Sequence, residues 1–97
     1  MSNRPTARQQ RRHDRVRAMG CSACLALGYG EGPAEIHHVQ DGQLGVRDHD
    51  KVLPLCYLHH RHGKYAIHLM SDEAWEHYTG KTQAAMLAEI DAAVPHK

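Results

Sequence analysis

The sequence predicts a small α+β fold, and three observations predict it. Two short runs, Glu35-Ile36-His37-His38-Val39 and Lys51-Val52-Leu53-Pro54-Leu55, read as strands, and Asp41-Gly42 with Gly45 between them read as the turn of a hairpin. Helix start and stop signals lie on both sides of that hairpin, once before it and twice after it. The 97 residues include ten His and three Cys, but one Trp, four Tyr and no Phe. Apolar burial alone therefore leaves a thin core, and a chain of this size needs a staple. Three Cys cannot all pair within one chain, and thiols close to His in a reducing compartment point to metal ligation before disulfides. No stretch approaches the roughly 18 consecutive apolar residues of a membrane span. The start, MSNRPTARQQRR, lacks the apolar segment of a secretory signal. The expectation is a soluble, unexported protein.

Taken in order, residues 1–17 carry six Arg (Arg4, Arg8, Arg11, Arg12, Arg15 and Arg17) against Asp14, a net of +5, while residues 18–97 carry six Lys or Arg against ten acids, a net of −4. A basic segment on a mildly acidic body suggests phosphate binding, because each Arg that neutralises a phosphate releases counterions. A helix from about Thr6 to Met19, ended by Gly20, would lean on the body and present these Arg to nucleic acid, with Met1 to Pro5 frayed. The expected division is a basic arm or helix over residues 1–19 and a metal-stabilised body over residues 20–97. Cys21-Ser-Ala-Cys24 opens a compact turn, and the Gly-rich stretch from Gly28 to Pro33 is loop. After the hairpin, Cys56 to His62 forms a short helix interrupted at Gly63, and Tyr65 to Met70 extends it or forms a loop. Ser71 caps a helix over Asp72 to Tyr78, with acids in its first turn where the helix dipole favours them. Thr82 caps a last helix whose Met86, Leu87, Ile90 and Val94 share one face, with Pro95 just past its end. Trp75 and Tyr78, three apart, read as core.

Cys21, Cys24, Cys56 and His59 are the first chemical constellation. Cys-x2-Cys offers two thiolates from one tight turn, and Cys56-x2-His59 offers a second pair, the spacing of a closed tetrahedral zinc site. Four protein ligands leave no open position, so the site is structural. Its binding energy, on the order of 10 kcal/mol in small zinc domains, would offset the thin core. The remaining His crowd is the second constellation: seven of the ten His lie between residues 37 and 68. Neighbours on a strand point to opposite faces, so His37 and His38 need different roles. For phosphodiester hydrolysis one would ligate a metal and the other would deprotonate water, a task suited to a group titrating near neutral pH. His59 and His60 divide in the same way, one facing zinc and the other the hairpin. His13, His77 and His96 read as surface or satisfied polar residues.

The string Ile36-His37-His38-Val39, a loop, then Val52-Leu53-Pro54-Leu55-Cys56-Tyr57-Leu58-His59-His60 resembles the HNH or ββα-metal nucleases supported by a zinc knuckle. With Cys21-Ser-Ala-Cys24 upstream and Ala66-Ile67-His68 and Ala74-Trp75-Glu76 downstream, the pattern over residues 20 to 90 is similar to the phage-borne recombination-enhancement, RecA-dependent nuclease branch. The resemblance implies a zinc-stapled ββα-metal domain with an N-terminal basic helix and two C-terminal helices, acting as a metal-dependent DNA endonuclease in the cytoplasm of a bacterial host, with a recombinase filament as a partner. It implies His37, His60 and His68 as ligands of one catalytic divalent ion (Mg²⁺, Mn²⁺ or Zn²⁺) and His38 as general base. His62 is the runner-up for the third ligand, because the position four residues after His60, a His in many HNH proteins, is Lys64. The motif's central position, usually Asn, falls near Lys51, which leaves His49 or Asp50 to orient His38. Two other classes fit the same residues: a noncatalytic zinc-stabilised DNA-binding module, and an interaction protein that docks through its acidic C-terminal helices.

Overall fold

The structure, a computed structural model, describes residues 4–30, 32–39 and 48–97. The expected turn at Asp41-Gly42 and Gly45, and Met1 to Asn3 of the expected frayed start, lie outside them. The chain begins with α1 (Ala7–Ala18), which a capping box starts: Thr6 Oγ1 accepts from the Gln9 amide and the Gln9 side chain accepts from the Thr6 amide. It ends where Gly20 takes φ +85°, a conformation a side chain would resist. A five-residue helix, α2 (Ser22–Ala26), follows, with Cys21 as its N-cap. The antiparallel hairpin is β1 (Glu35–His38) and β2 (Val52–Leu55), in the register His37 opposite Leu53 and His38 opposite Val52. The Val39 amide bonds the Lys51 carbonyl at 2.9 Å, which carries the ladder one step beyond the paired strands. Pro54 sits within β2, tolerable because a two-stranded sheet leaves each strand an unpaired edge.

The short helix expected after Cys56 is a π-helical turn, Leu58–His62, closed by the Gly63 amide bonding the Leu58 carbonyl at 3.0 Å. Glycine is required at that closure, since a Cβ on residue 63 would lie 2.3 Å from the Leu58 oxygen. A 3-10 turn, Ile67–Leu69, leads to α3 (Asp72–Thr79), capped by Ser71, and α4 (Gln83–Ala93), capped by Thr82.

All four residues of β2 are buried, because α1, α2 and α4 pack around it. Val16 of α1, Leu53 and Leu55 of β2, Ile67, Trp75 of α3, and Met86, Ile90 and Val94 form one core, with Leu87 partly buried against it. Each such side chain contributes roughly 1.5 to 3 kcal/mol. The core is small, as the composition predicts, and Cys21 belongs to it. Among the described residues no helix is long and apolar enough to cross a membrane.

Candidate active site and metal centre

Three cysteines and His59 converge. The Nδ1 atom of His59 lies 3.7 Å from Cys21 Sγ, 3.4 Å from Cys24 Sγ and 3.2 Å from Cys56 Sγ, and Cys24 and Cys56 Sγ are 3.9 Å apart. A tetrahedron built on Zn–S and Zn–N bonds of about 2.3 and 2.0 Å has S–N edges of about 3.5 Å and S–S edges of about 3.8 Å. The donor set therefore fits one tetrahedral ion of zinc's size. Burial and the neighbouring Cys21 and Cys56 sulfurs push the Cys24 thiol up to about 12, so three sulfurs this close call for a cation to hold them as thiolates. His59 bonds the Tyr78 hydroxyl through Nε2 at 3.0 Å, which fixes its ring with Nδ1 towards the sulfurs. Tyr78, expected as core, is half-buried and has this second task.

The second group is His37, His60 and His68, each offering a ring nitrogen within 4.8 Å of the others. Strand alternation turns His37 inward from β1, the π-turn supplies His60, and the 3-10 turn supplies His68. His62 stands apart, exposed and stacked on Tyr57. Glu35 Oε1 accepts a 2.8 Å hydrogen bond from His60 Nδ1, leaving Nε2 as the nitrogen His60 can offer. The Nδ1 atom of His37 is buried without a hydrogen-bond partner, an orphan that an ion would satisfy. Burial, with His60 and His68 nearby, holds His37 down to about 4, and a side-chain hydrogen bond with Gln83 works the other way. His37 is therefore neutral, the form that ligates a metal, well below neutral pH. Neutral imidazoles accept transition ions, and with one exposed member, His68, the group has an open side.

His38 is not a member of that group. Its Nε2 lies 2.9 Å from His49 Nδ1, and the His49 carbonyl accepts a 2.7 Å bond from His13 Nε2 of α1. His13 is thus a satisfied polar residue and buried. Asp50, the other candidate to orient His38, bonds Arg8 at 3.2 Å instead. Burial raises its carboxyl, but hydrogen bonds from Gln9 and Arg8 outweigh that and hold it below the usual range.

The six arginines of the arm divide. Arg12, fully buried, bonds the Val94 carbonyl at 3.1 Å and Asp91 at 2.9 Å, so it is not presented to nucleic acid as the charge pattern predicts. The cause is the end of α4, whose free carbonyl and nearby carboxylate attract a guanidinium. Arg8 and Arg15 reach the carbonyls of His96, Pro95 and Lys97 but keep exposed surface, and Arg17 pairs with Asp14. Arg4 and Arg11 are exposed, and Arg11 has no ion pair among the described residues.

Two site residues carried no signal that the sequence reading used. Glu35 stands two positions before His37, on the same face of the strand, and Gln83 comes from the first turn of α4. The family model for recombination enhancement, RecA-dependent nuclease, matches residues 5–84.

Proposed function

This chain belongs to the recombination-enhancement, RecA-dependent nuclease family, enzymes that act on phosphodiester bonds, and we propose that it is a metal-dependent DNA endonuclease of the HNH type. The observation that carries the reading is the convergence of His37, His60 and His68 beside a strand neighbour, His38, that is itself held by His49. A ligand group and a basic group on adjacent residues are what one-metal hydrolysis of a phosphodiester requires.

In this mechanism His37, His60 and His68 would hold one divalent ion. When bound, such an ion stabilises the charge that grows on the phosphate and on the leaving oxygen. His38 takes the proton from the attacking water, and its contact with His49 fixes the ring and its tautomer. Glu35 holds His60 in place through Nδ1. Cys21, Cys24, Cys56 and His59 would bind zinc, which would keep the π-turn, and with it His60, in register against the hairpin. The exposed arginines of the arm, Arg4 and Arg11 with the outer faces of Arg8, Arg15 and Arg17, position the phosphate backbone without reading sequence. A recombinase filament is the partner that the family's description supports.

The test is nicking of supercoiled plasmid by zinc-retaining protein freed of other metals. Added Mg²⁺ or Mn²⁺ is expected to convert supercoiled to open-circular DNA, with a recombinase filament supplied in a parallel arm. A noncatalytic zinc module would retard the DNA, with affinity falling steeply as salt rises, and leave it uncut in both arms.

A further inference from the structure

The π-helical turn does more than divide His59 from His60. In an α-helix, residues five apart point about 140° away from each other. A turn closed i to i+5 brings them back to one side. Here that closure lays the Tyr57 ring flat on the His62 ring, with centroids 4.2 Å apart and planes 14° apart. The pair faces outward. Tyr57 is 53% exposed, and Leu58 beside it is 60% exposed. Neither ring contributes to the core, to the zinc ligands or to the His37, His60, His68 group. Two exposed cations flank the step: Arg61, between His60 and His62, which also lies 3.8 Å from Glu35 Oε1 but keeps 61% of its side chain exposed, and Lys64, just past the turn.

We propose that Tyr57 and His62 form a stacking step for an unpaired DNA base, with Arg61 and Lys64 contacting the adjoining phosphates. This deepens the nuclease reading and rests on it, because His60 of the same turn belongs to the proposed cleavage site. The chemistry is general. An exposed flat ring accepts the face of any base, and neighbouring cations track the backbone. The charge excludes the opposite assignment of an anionic apolar patch: the exposed charged residues of residues 57–64 are both basic. A base in an intact duplex has its faces covered by its neighbours, so the step selects DNA that is single-stranded or locally opened.

The experiment measures binding apart from cleavage. Zinc-loaded protein without added divalent ion is titrated into fluorescein-labelled dT15 and into a 15-base-pair duplex, following anisotropy. Tyr57→Ala is expected to weaken dT15 binding about tenfold and duplex binding less than twofold. Tyr57→Phe, which keeps the ring, should bind both like the wild type. The salt dependence of dT15 binding should be unchanged by Tyr57→Ala, since no phosphate contact is lost. Equal dT15 affinity for Tyr57→Ala and wild type overturns the proposal, as does a parallel loss for dT15 and duplex. Unchanged dT15 binding with weakened binding to a recombinase filament also overturns it and reassigns the surface to a protein partner. Failure of the nuclease reading would appear separately, as wild-type protein that leaves plasmid uncut.

Discussion

Among single residues, adjacency was the most legible signal. His37-His38 and His59-His60 each had to split between two faces, and the structure does split them: His37 joins His60 and His68, His38 joins His49, and His59 joins the cysteines. Glu35 was not legible because an acid at the start of a strand reads as a solvent-facing end. Only the third dimension brings His60, 25 residues later, within 2.8 Å of it. This carboxylate gives a residue-scale prediction. A group that holds a ligating imidazole typically contributes tenfold to a hundredfold in metal affinity. Glu35→Gln should therefore raise the Mn²⁺ concentration for half-maximal nicking by about that factor, with zinc content unchanged. An unchanged Mn²⁺ requirement would remove Glu35 from the site.

At the scale of elements, the helices were legible from their caps. Ser71 and Thr82 each accept the expected amide and start their helices, and the helix expected from about Thr6 begins there, with a capping box at Thr6 that only the structure shows. The hairpin was legible from its two apolar runs. The π-turn was not, since five residues with three His among them have no apolar period to read, and its packing against the 3-10 turn is a tertiary contact. Gly63 marked an interruption, and the structure gives the reason, a closure with no room for a Cβ. Gly63→Ala should cost about 1 to 3 kcal/mol in urea unfolding of the zinc-bound protein. It should also lower nicking, because His60 shifts with the turn. A variant as stable and as active as wild type would mean the turn relaxes without consequence.

For the whole molecule, the opposite charges of arm and body were visible in the sequence, but their use was only half visible. Counting Arg residues cannot tell which face of α1 they occupy, and the structure turns Arg12 inward to the end of α4 while Arg4 and Arg11 stay outside. The scarcity of large apolar residues was a better guide, for the core is small and the cysteine and histidine group lies at its edge, with Cys21 fully buried. The molecule thus has two histidine-containing clusters that meet in one turn, one formed with three cysteines through His59 and the other, the proposed reaction centre, through His60. Their separation is the central claim, and His38 tests it most directly because it belongs to neither ligand set. His38→Ala should bind one zinc per chain and melt like the wild type, while plasmid nicking in Mn²⁺ falls at least a hundredfold, at the lower end of what a general base contributes. Nicking at the wild-type rate by a folded, zinc-loaded His38→Ala protein would contradict the account.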